Sequence, residues 1–261
     1  MPATNRSHAA PLLVVGCVIF GLGSLIVKFV HVGSYAIAFW RLAIATVIFW
    51  FLARFFGQKL PQNMKAAYTA LLSGVFLAFD LALWHESIHA VGPGISTLLN
   101  SLQIFWLSMI GVLWFKERLS LLQTGSLLLA VAGVVLIGSP EFRHNGNALW
   151  GFVSGVVSGL MLSLSMVFVR KAHQEVHVPI FPMMFHVSLG GMAALVLPML
   201  LFNGHNWLPQ TWSDVGWIVV YGAVMQCFAW GMIAYAIPLL SFSLTGLLLL
   251  SEPVAALLID Y

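Results

Sequence analysis

Apolar residues run along this chain in nine long stretches, not in the short alternating or one-faced patterns of a water-soluble domain. With charges and turn residues as punctuation, the stretches are Leu12 to Val30, Tyr35 to Phe55, Ala66 to Trp84, Pro93 to Phe115, Leu121 to Gly138, Leu149 to Val169, Ile180 to Phe202, Val215 to Ile237 and Ser241 to Ile259. About 20 mostly apolar residues in a helix cross the hydrocarbon core, so each stretch is predicted to be a transmembrane helix. The connections are about a dozen residues or fewer, too short to house a soluble domain. Function must therefore reside within the membrane. The first stretch follows Arg6 as a signal peptide would, but no small-x-small cleavage site and polar mature region follow it, so it reads as a retained helix.

Composition excludes the soluble alternative: 61% of the 261 residues are hydrophobic, 7% are charged, and the mean hydropathy is +0.98. That is too little polar surface to cover a globule. The net charge of +3 does not point to nucleic acid, because the basic residues punctuate apolar runs and form no patch. Cys17 and Cys227 lie inside apolar runs, far from metal-ligand spacing.

The same basic residues orient the chain. With the N-terminus inside, Arg6, Arg54, Lys59, Lys65, Lys116, Arg118, Arg170 and Lys171 fall on the cytoplasmic side, against Lys28 and Arg143 outside. Eight against two satisfies the positive-inside rule. Nine spans then put Tyr261 outside.

The chain also matches itself. His31-Val32-Gly33-Ser34-Tyr35 through Phe39, entering the second span, parallels His177-Val178-Pro179-Ile180-Phe181 through Phe185, entering the seventh. A separation of five spans inverts the topology, and inverted repeats with a midplane site are a recurring construction of secondary transporters. Lys116-Glu117-Arg118-Leu119-Ser120 closes the fourth span, Leu250-Ser251-Glu252-Pro253-Val254 lies in the ninth, and Phe39-Trp40-Arg41-Leu42 lies in the second. Together these segments resemble the EamA family of the drug/metabolite transporter superfamily over essentially the whole chain. The resemblance implies an all-α polytopic membrane protein of two inverted five-helix repeats, residues 1–140 and 141–261. It also implies a multi-pass protein of the bacterial inner membrane with a cytoplasmic N-terminus, which exports amino acids, related metabolites or drugs by alternating access. It is no enzyme, and no cofactor, metal or nucleic acid is expected.

Counting back thirteen residues from Glu117 puts Ile104 where the family often has proline, and Gln103 opposite Glu252. The first repeat thus departs from the Glu-Pro pattern, with an amide where the second has a carboxylate. The offset of 149 between Gln103 and Glu252 also maps Tyr261 onto Val112, so the second repeat has four spans and lacks the tenth. The expectation is a shortened chain whose ninth helix leaves an apolar face to lipid or to another subunit, as in a homodimer.

Arg41, Asp80 and Glu252 are the charged residues well clear of span ends. Ionisable groups at such depth normally face a cavity or a partner. At 100° per residue, Ser73, Asp80, Trp84 and Ser87 share a stripe of the third span; Ser96, Asn100 and Gln103 share a face of the fourth; Ser241, Thr245 and Glu252 share one of the ninth. On the eighth, Gln226 and Trp230 are four apart. These stripes predict a shared polar cavity, with interhelical hydrogen bonding as the plainer alternative. Arg41 reads equally as a snorkelling anchor at the outer interface and as a ligand for a substrate carboxylate. Trp84 and Trp230 are candidates for stacking on a substrate, whereas Trp40, Trp50, Trp114, Trp150 and Trp207 read as interfacial belt residues. Gly151, Gly155 and Gly159 predict close helix packing, and Pro182 and Pro253 predict bends. Glu252 is the predicted proton site, with Asp80 behind it; Gln103 cannot titrate.

A competing signal is His85-Glu86-Ser87-Ile88-His89, the H-E-x-x-H pattern of zinc proteases. The alternative function is accordingly an intramembrane zinc metalloprotease. Against it, the third-ligand Leu-Asp-Gly segment of such proteases is missing, Leu258-Ile259-Asp260 being the nearest imitation, and the pattern straddles the predicted end of the third span.

Overall fold

The computed structural model describes residues 4–61, 63–116, 121–138, 145–175, 178–204, 206–240 and 242–260. Glu117 to Ser120, Arg143, His177, Ser241 and Tyr261, all used above, lie outside the described residues. Among the described residues every regular element is helical. In chain order they are α1 (Thr4–Ile26), a 3-10 turn (Val27–Phe29), α2 (Ser34–Phe55), α3 (Met64–Val91), α4 (Pro93–Asn100), α5 (Gln103–Phe115), α6 (Leu121–Gly138), α7 (Ala148–Glu175), α8 (Ile180–Phe202), α9 (Trp212–Val220), a π-helical segment (Tyr221–Ala229), α10 (Trp230–Ala236), a second 3-10 turn (Ile237–Leu239), α11 (Phe242–Leu249) and α12 (Ser251–Asp260). Among the described residues six rods are long and apolar enough to cross a membrane: Ser34–Phe55, Met64–Val91, Pro93–Trp114, Ala148–Glu175, Ile180–Phe202 and Trp212–Leu239. Shorter apolar stretches lie on α1, on α6 and across α11 and α12.

Three local features differ from the expectation. α3 runs on to Val91, so the H-E-x-x-H segment lies wholly inside a helix and does not straddle its end. Gly92, at φ +83°, then turns the chain, and Pro93 starts α4 at a position where its missing N–H would have had no intrahelical partner. Pro182 likewise falls in the first turn of α8, where proline removes no helical hydrogen bond, so it does not bend that helix from within, whereas Pro253 follows a break in the ninth rod, where its missing N–H cannot donate to Leu249 O. The fourth and ninth rods are each broken. α4 covers residues 93–100 and α11 covers 242–249, displaced by 149 positions at both ends, and each is followed by a turn before the helix resumes.

α3 packs against α7 and α8, and α8 against α2. α1 packs on the π-helical segment, α10, α11 and α12; α4 and α5 pack on α7; α4 meets α12 and α5 meets α11. Close approach is built in. A Cβ at Gly151 would come within 2.6 Å of Val91 Cγ1, and one at Gly159 within 2.6 Å of the Asn100 carbonyl oxygen. Serines on α3, α4 and α7 add hydrogen bonds across these contacts: Ser73 Oγ donates to the Ser165 carbonyl (2.9 Å), Ser87 Oγ to Gly151 (2.8 Å), Ser96 Oγ to Trp84 (3.1 Å) and Ser163 Oγ to Gln103 (2.9 Å). In hydrocarbon, such bonds and small-residue contacts replace the hydrophobic force that would hold a soluble bundle.

The two ends of the bundle are tied differently. At one, the α1–α2 connection interlocks with the α8–α9 connection: Gly33 N donates to Asn206 O (3.0 Å), Ala36 N to Asn203 Oδ1 (3.1 Å), Trp40 Nε1 to Trp207 O (2.8 Å), and His31 N to Asp214 Oδ1 (3.0 Å). Asp214 also completes a capping box with Thr211 that starts α9. At the other end the ties are the Lys65–Glu175 ion pair (2.8 Å), Phe181 N donating to Gln58 Oε1 (3.2 Å) and the Phe56–Phe181 ring contact.

Candidate functional site

Sequence places Phe20 in an unbroken apolar run, yet its ring is the hub of the buried polar residues. Trp84 from α3 stacks on it at 6.3 Å between centroids, and Trp230 from α10 approaches at 5.8 Å. The Arg41 guanidinium from α2 lies 4.7 Å from the Phe20 centroid and 4.5 Å from that of Tyr221. Arg41 is 1% exposed, so it does not snorkel to an interface. A cation held between two ring faces is favoured when water is excluded.

Arg41 Nε donates to Gln226 Oε1 at 2.8 Å. The π-helical segment makes this arrangement. On an α-helical wheel Tyr221 and Gln226 would diverge by 140°, whereas i→i+5 hydrogen bonding brings residues five apart onto one face. Tyr221 thus covers the guanidinium while Gln226 binds it. Behind Tyr221, His85 Nδ1 lies 3.1 Å from the Ser34 carbonyl oxygen and His85 Nε2 lies 2.9 Å from Tyr221 Oη. A carbonyl only accepts, so Nδ1 donates; the neutral ring then accepts at Nε2 from the Tyr221 hydroxyl. Both ring nitrogens of His85 are committed, while His89 is exposed, and Glu86 Oε2 accepts from Trp150 Nε1 at 3.2 Å. The two histidines of the zinc pattern therefore do not converge. Among the described residues no group of three His, Cys, Asp or Glu side chains is placed to hold a metal.

Nearby on α3, Asp80 Oδ1 accepts from Asn100 Nδ2 at 2.8 Å, and Asn100 Nδ2 is also 2.8 Å from Ser158 Oγ. Asp80 and Trp84 stand 146 positions before Gln226 and Trp230, so two arms of the form polar-x-x-x-Trp each bring an indole to the Phe20 ring. Glu252 sits in the first turn of α12, just after the break in the ninth rod, where helix amides favour a carboxylate. It is 3% exposed and within electrostatic reach of Arg41 and Asp80. Among the described residues no carboxylate forms an ion pair with Arg41.

Gln103 takes the corresponding place after the break in the fourth rod, at the start of α5. Its carbonyl is held by Ser163, and among the described residues no hydrogen bond ties its side chain to the Phe20 cluster. The cluster leaves donors over. Among the described residues Arg41 Nη2, Gln226 Nε2, Trp84 Nε1 and Trp230 Nε1 are buried without a hydrogen-bond partner, as is the acceptor Gln103 Oε1. An unmet buried donor costs about 1–3 kcal/mol, so these four are open to further acceptors. The sequence pattern did not mark Phe20, Tyr221 or His85. The first two look like ordinary apolar or interfacial residues, and the third was absorbed into a misleading motif.

These rods and this buried, charged centre define a multi-pass helical membrane protein with a polar site between its helices. Residues 8–139 match the EamA-like transporter family, and the chain belongs to that family. It is 25% identical over 183 residues to a WAT1-related chloroplastic protein of Arabidopsis thaliana, covering 66% of this chain but only 43% of that one. It is 20% identical over 262 residues to the uncharacterized transporter YxxF of Bacillus subtilis (98% of this chain, 82% of that one). It is 23% identical over 230 residues to a protein of Salmonella typhimurium named "probable amino-acid metabolite efflux pump" (87% and 74%). A solved crystal structure shares the fold, with a TM-score of 0.73 at 17% identity over 97% of this chain and 88% of that one.

Proposed function

We propose that the chain is a secondary transporter of the bacterial inner membrane that exports a small carboxylate-bearing metabolite, an amino acid or a close derivative, by alternating access. The observation that carries this reading is the set of unpartnered buried donors around Phe20, with Arg41 and Gln226 on one arm and the Asp80 carboxyl on the other. A carboxylate would meet Arg41 Nη2, Gln226 Nε2 and the indole N–H groups, while an ammonium or hydroxyl donor would face Asp80. In this reading Glu252 exchanges a proton as the site changes sides, supported by its burial just after the break in the ninth rod. The export direction is supported by the name of the Salmonella relative.

The proposed cycle rocks two inverted repeats, 1–140 and 141–261, about this centre. The matched breaks in the fourth and ninth rods support that division, as does the exchange of packing partners, α3 on α7 and the π-helical segment with α10 on α1. The basic residues support a cytoplasmic N-terminus. The test is counterflow in proteoliposomes loaded with unlabelled amino acids and presented with labelled ones. Accumulation of label by the protein and none by empty vesicles is expected; no counterflow for any carboxylate-bearing solute, alongside counterflow of a cationic drug, would overturn the substrate class.

A further inference from the structure

A second polar feature lies away from the Phe20 cluster, where α2 ends. A cavity of about 370 Å³ is lined by Trp50, Ala53, Arg54, Gly57, Gln58, Lys59 and Leu60. Gly57, at φ +62°, folds the chain back so that Gln58 to Leu60 stand over the last turn of the helix. The carbonyls that would repel an anion there are already taken: Leu52 O accepts from Phe56 N (2.9 Å), Ala53 O from Gln58 N (2.8 Å) and Arg54 O from Gly57 N (3.1 Å). Arg54 lies over the Trp50 ring at 5.6 Å, and among the described residues neither Arg54 nor Lys59 has a carboxylate partner. Among the described residues, the acid at this end, Glu175, is held by Lys65 at 2.8 Å.

Directly along the rods from these cations is apolar surface facing outward. Phe51 and Phe55 on α2, and Met64 and Tyr68 on α3, are 59%, 82%, 64% and 63% exposed. In a membrane that surface meets acyl chains, and Trp50 and Tyr68 have the amphipathic rings that sit at headgroup level. A free phosphate would use the cations alone; a phospholipid uses both halves. We infer that this cavity is a binding site for an anionic phospholipid, its phosphate on Arg54 and Lys59 and its acyl chains along Phe51, Phe55 and Tyr68.

The test uses the purified full chain in detergent, melted in the presence of phosphatidylglycerol, phosphatidylcholine or inorganic phosphate. Phosphatidylglycerol is expected to raise the melting temperature, and the concentration required should rise on the order of tenfold in R54Q/K59Q, because each cation near a headgroup contributes to binding. K171Q is the control; Lys171 at the same end lies over Trp114 and Phe168 and should leave the response unchanged. Native mass spectrometry of the unaltered protein supplies a readout that needs no variant, with phosphatidylglycerol expected to be retained over phosphatidylcholine. An equal response to phosphatidylcholine, a response to phosphatidylglycerol indifferent to R54Q/K59Q, or a shift produced by inorganic phosphate alone would each overturn the proposal, the last in favour of a free-anion site.

Discussion

The two arms that bring a tryptophan to Phe20 are built alike and partnered differently. Each carries a polar side chain and, one helical turn on, a tryptophan near the same ring, Asp80 and Trp84 in one and Gln226 and Trp230 in the other. Their partners differ. Asp80 is a carboxyl acceptor held by an amide, Asn100, whereas Gln226 is an amide acceptor held by a cation, Arg41. Two arms of identical chemistry would offer a symmetric site, indifferent to which way round a solute entered. Exchanging carboxylate for amide and amide for guanidinium polarises the centre along one direction without altering its scaffold. Among the described residues Arg41 and Asp80 form no direct ion pair, which on the proposed reading leaves both groups to a dipolar ligand.

The largest effect is expected from removing the positive arm. Arg41→Gln takes away the cation between Phe20 and Tyr221 and the partner of Gln226; losing one side of a buried charged hydrogen bond typically costs about 2–5 kcal/mol, so counterflow should fall by roughly two orders of magnitude or more. Arg41→Lys should not restore it, because an ammonium cannot donate at Nε to Gln226 while lying flat between two rings. Recovery of the original counterflow rate in Arg41→Lys would show that charge alone matters.

Making the arms alike comes next. Asp80→Asn keeps an oxygen to accept from Asn100 and should leave the melting temperature nearly unchanged, while counterflow drops on the order of tenfold, as expected for a lost charge-assisted hydrogen bond of about 1.5 kcal/mol. Gln226→Glu should reduce counterflow comparably by pairing Arg41 internally. If that variant transports at the original rate, Arg41 does not bind the solute.

Glu252 belongs to neither arm, which separates coupling from binding. In Glu252→Gln, accumulation driven by a pH gradient should disappear while solute exchange at equal pH on both sides persists. Equal gradient-driven accumulation in the variant and the unaltered protein would remove Glu252 from the cycle and leave Asp80 as the proton site.

The smallest and sharpest contrast is Trp→Phe at 84 and 230. Each change keeps a ring against Phe20 and deletes a buried N–H that lacks a protein partner, so thermal stability should hold or rise slightly. If the indoles donate to the solute, its half-saturating concentration should rise roughly three- to tenfold in each variant, consistent with a neutral hydrogen bond of about 1 kcal/mol. Higher stability with unaltered half-saturation would assign the indoles to packing.

Much of this architecture was legible in the residues. Runs of about 20 apolar residues can hydrogen-bond their backbones in lipid only as helices, so the helical class, the order of the rods and the membrane setting follow from hydrophobic length alone. Arg41, Asp80 and Glu252 stood out because charge at such depth needs a reason, and the family was readable from segments near Phe39, Lys116 and Glu252. The direction of Arg41 was not readable, since its long side chain reaches an interface or the interior equally well until neighbouring helices occupy one of those spaces. Phe20 became a hub only when α1, α3 and α10 met. Tyr221 joined Gln226 because the eighth rod widened to π geometry, which a fixed 100° wheel cannot anticipate. His85 showed the reverse failure: a local pattern spelled zinc chemistry, and packing committed both its nitrogens to Ser34 and Tyr221. Local hydrophobicity decides what becomes a helix and that it lies in lipid. Which buried polar atoms find partners, and which remain open to a solute, is a property of contacts between segments as much as 185 residues apart, and only the tertiary structure decides it.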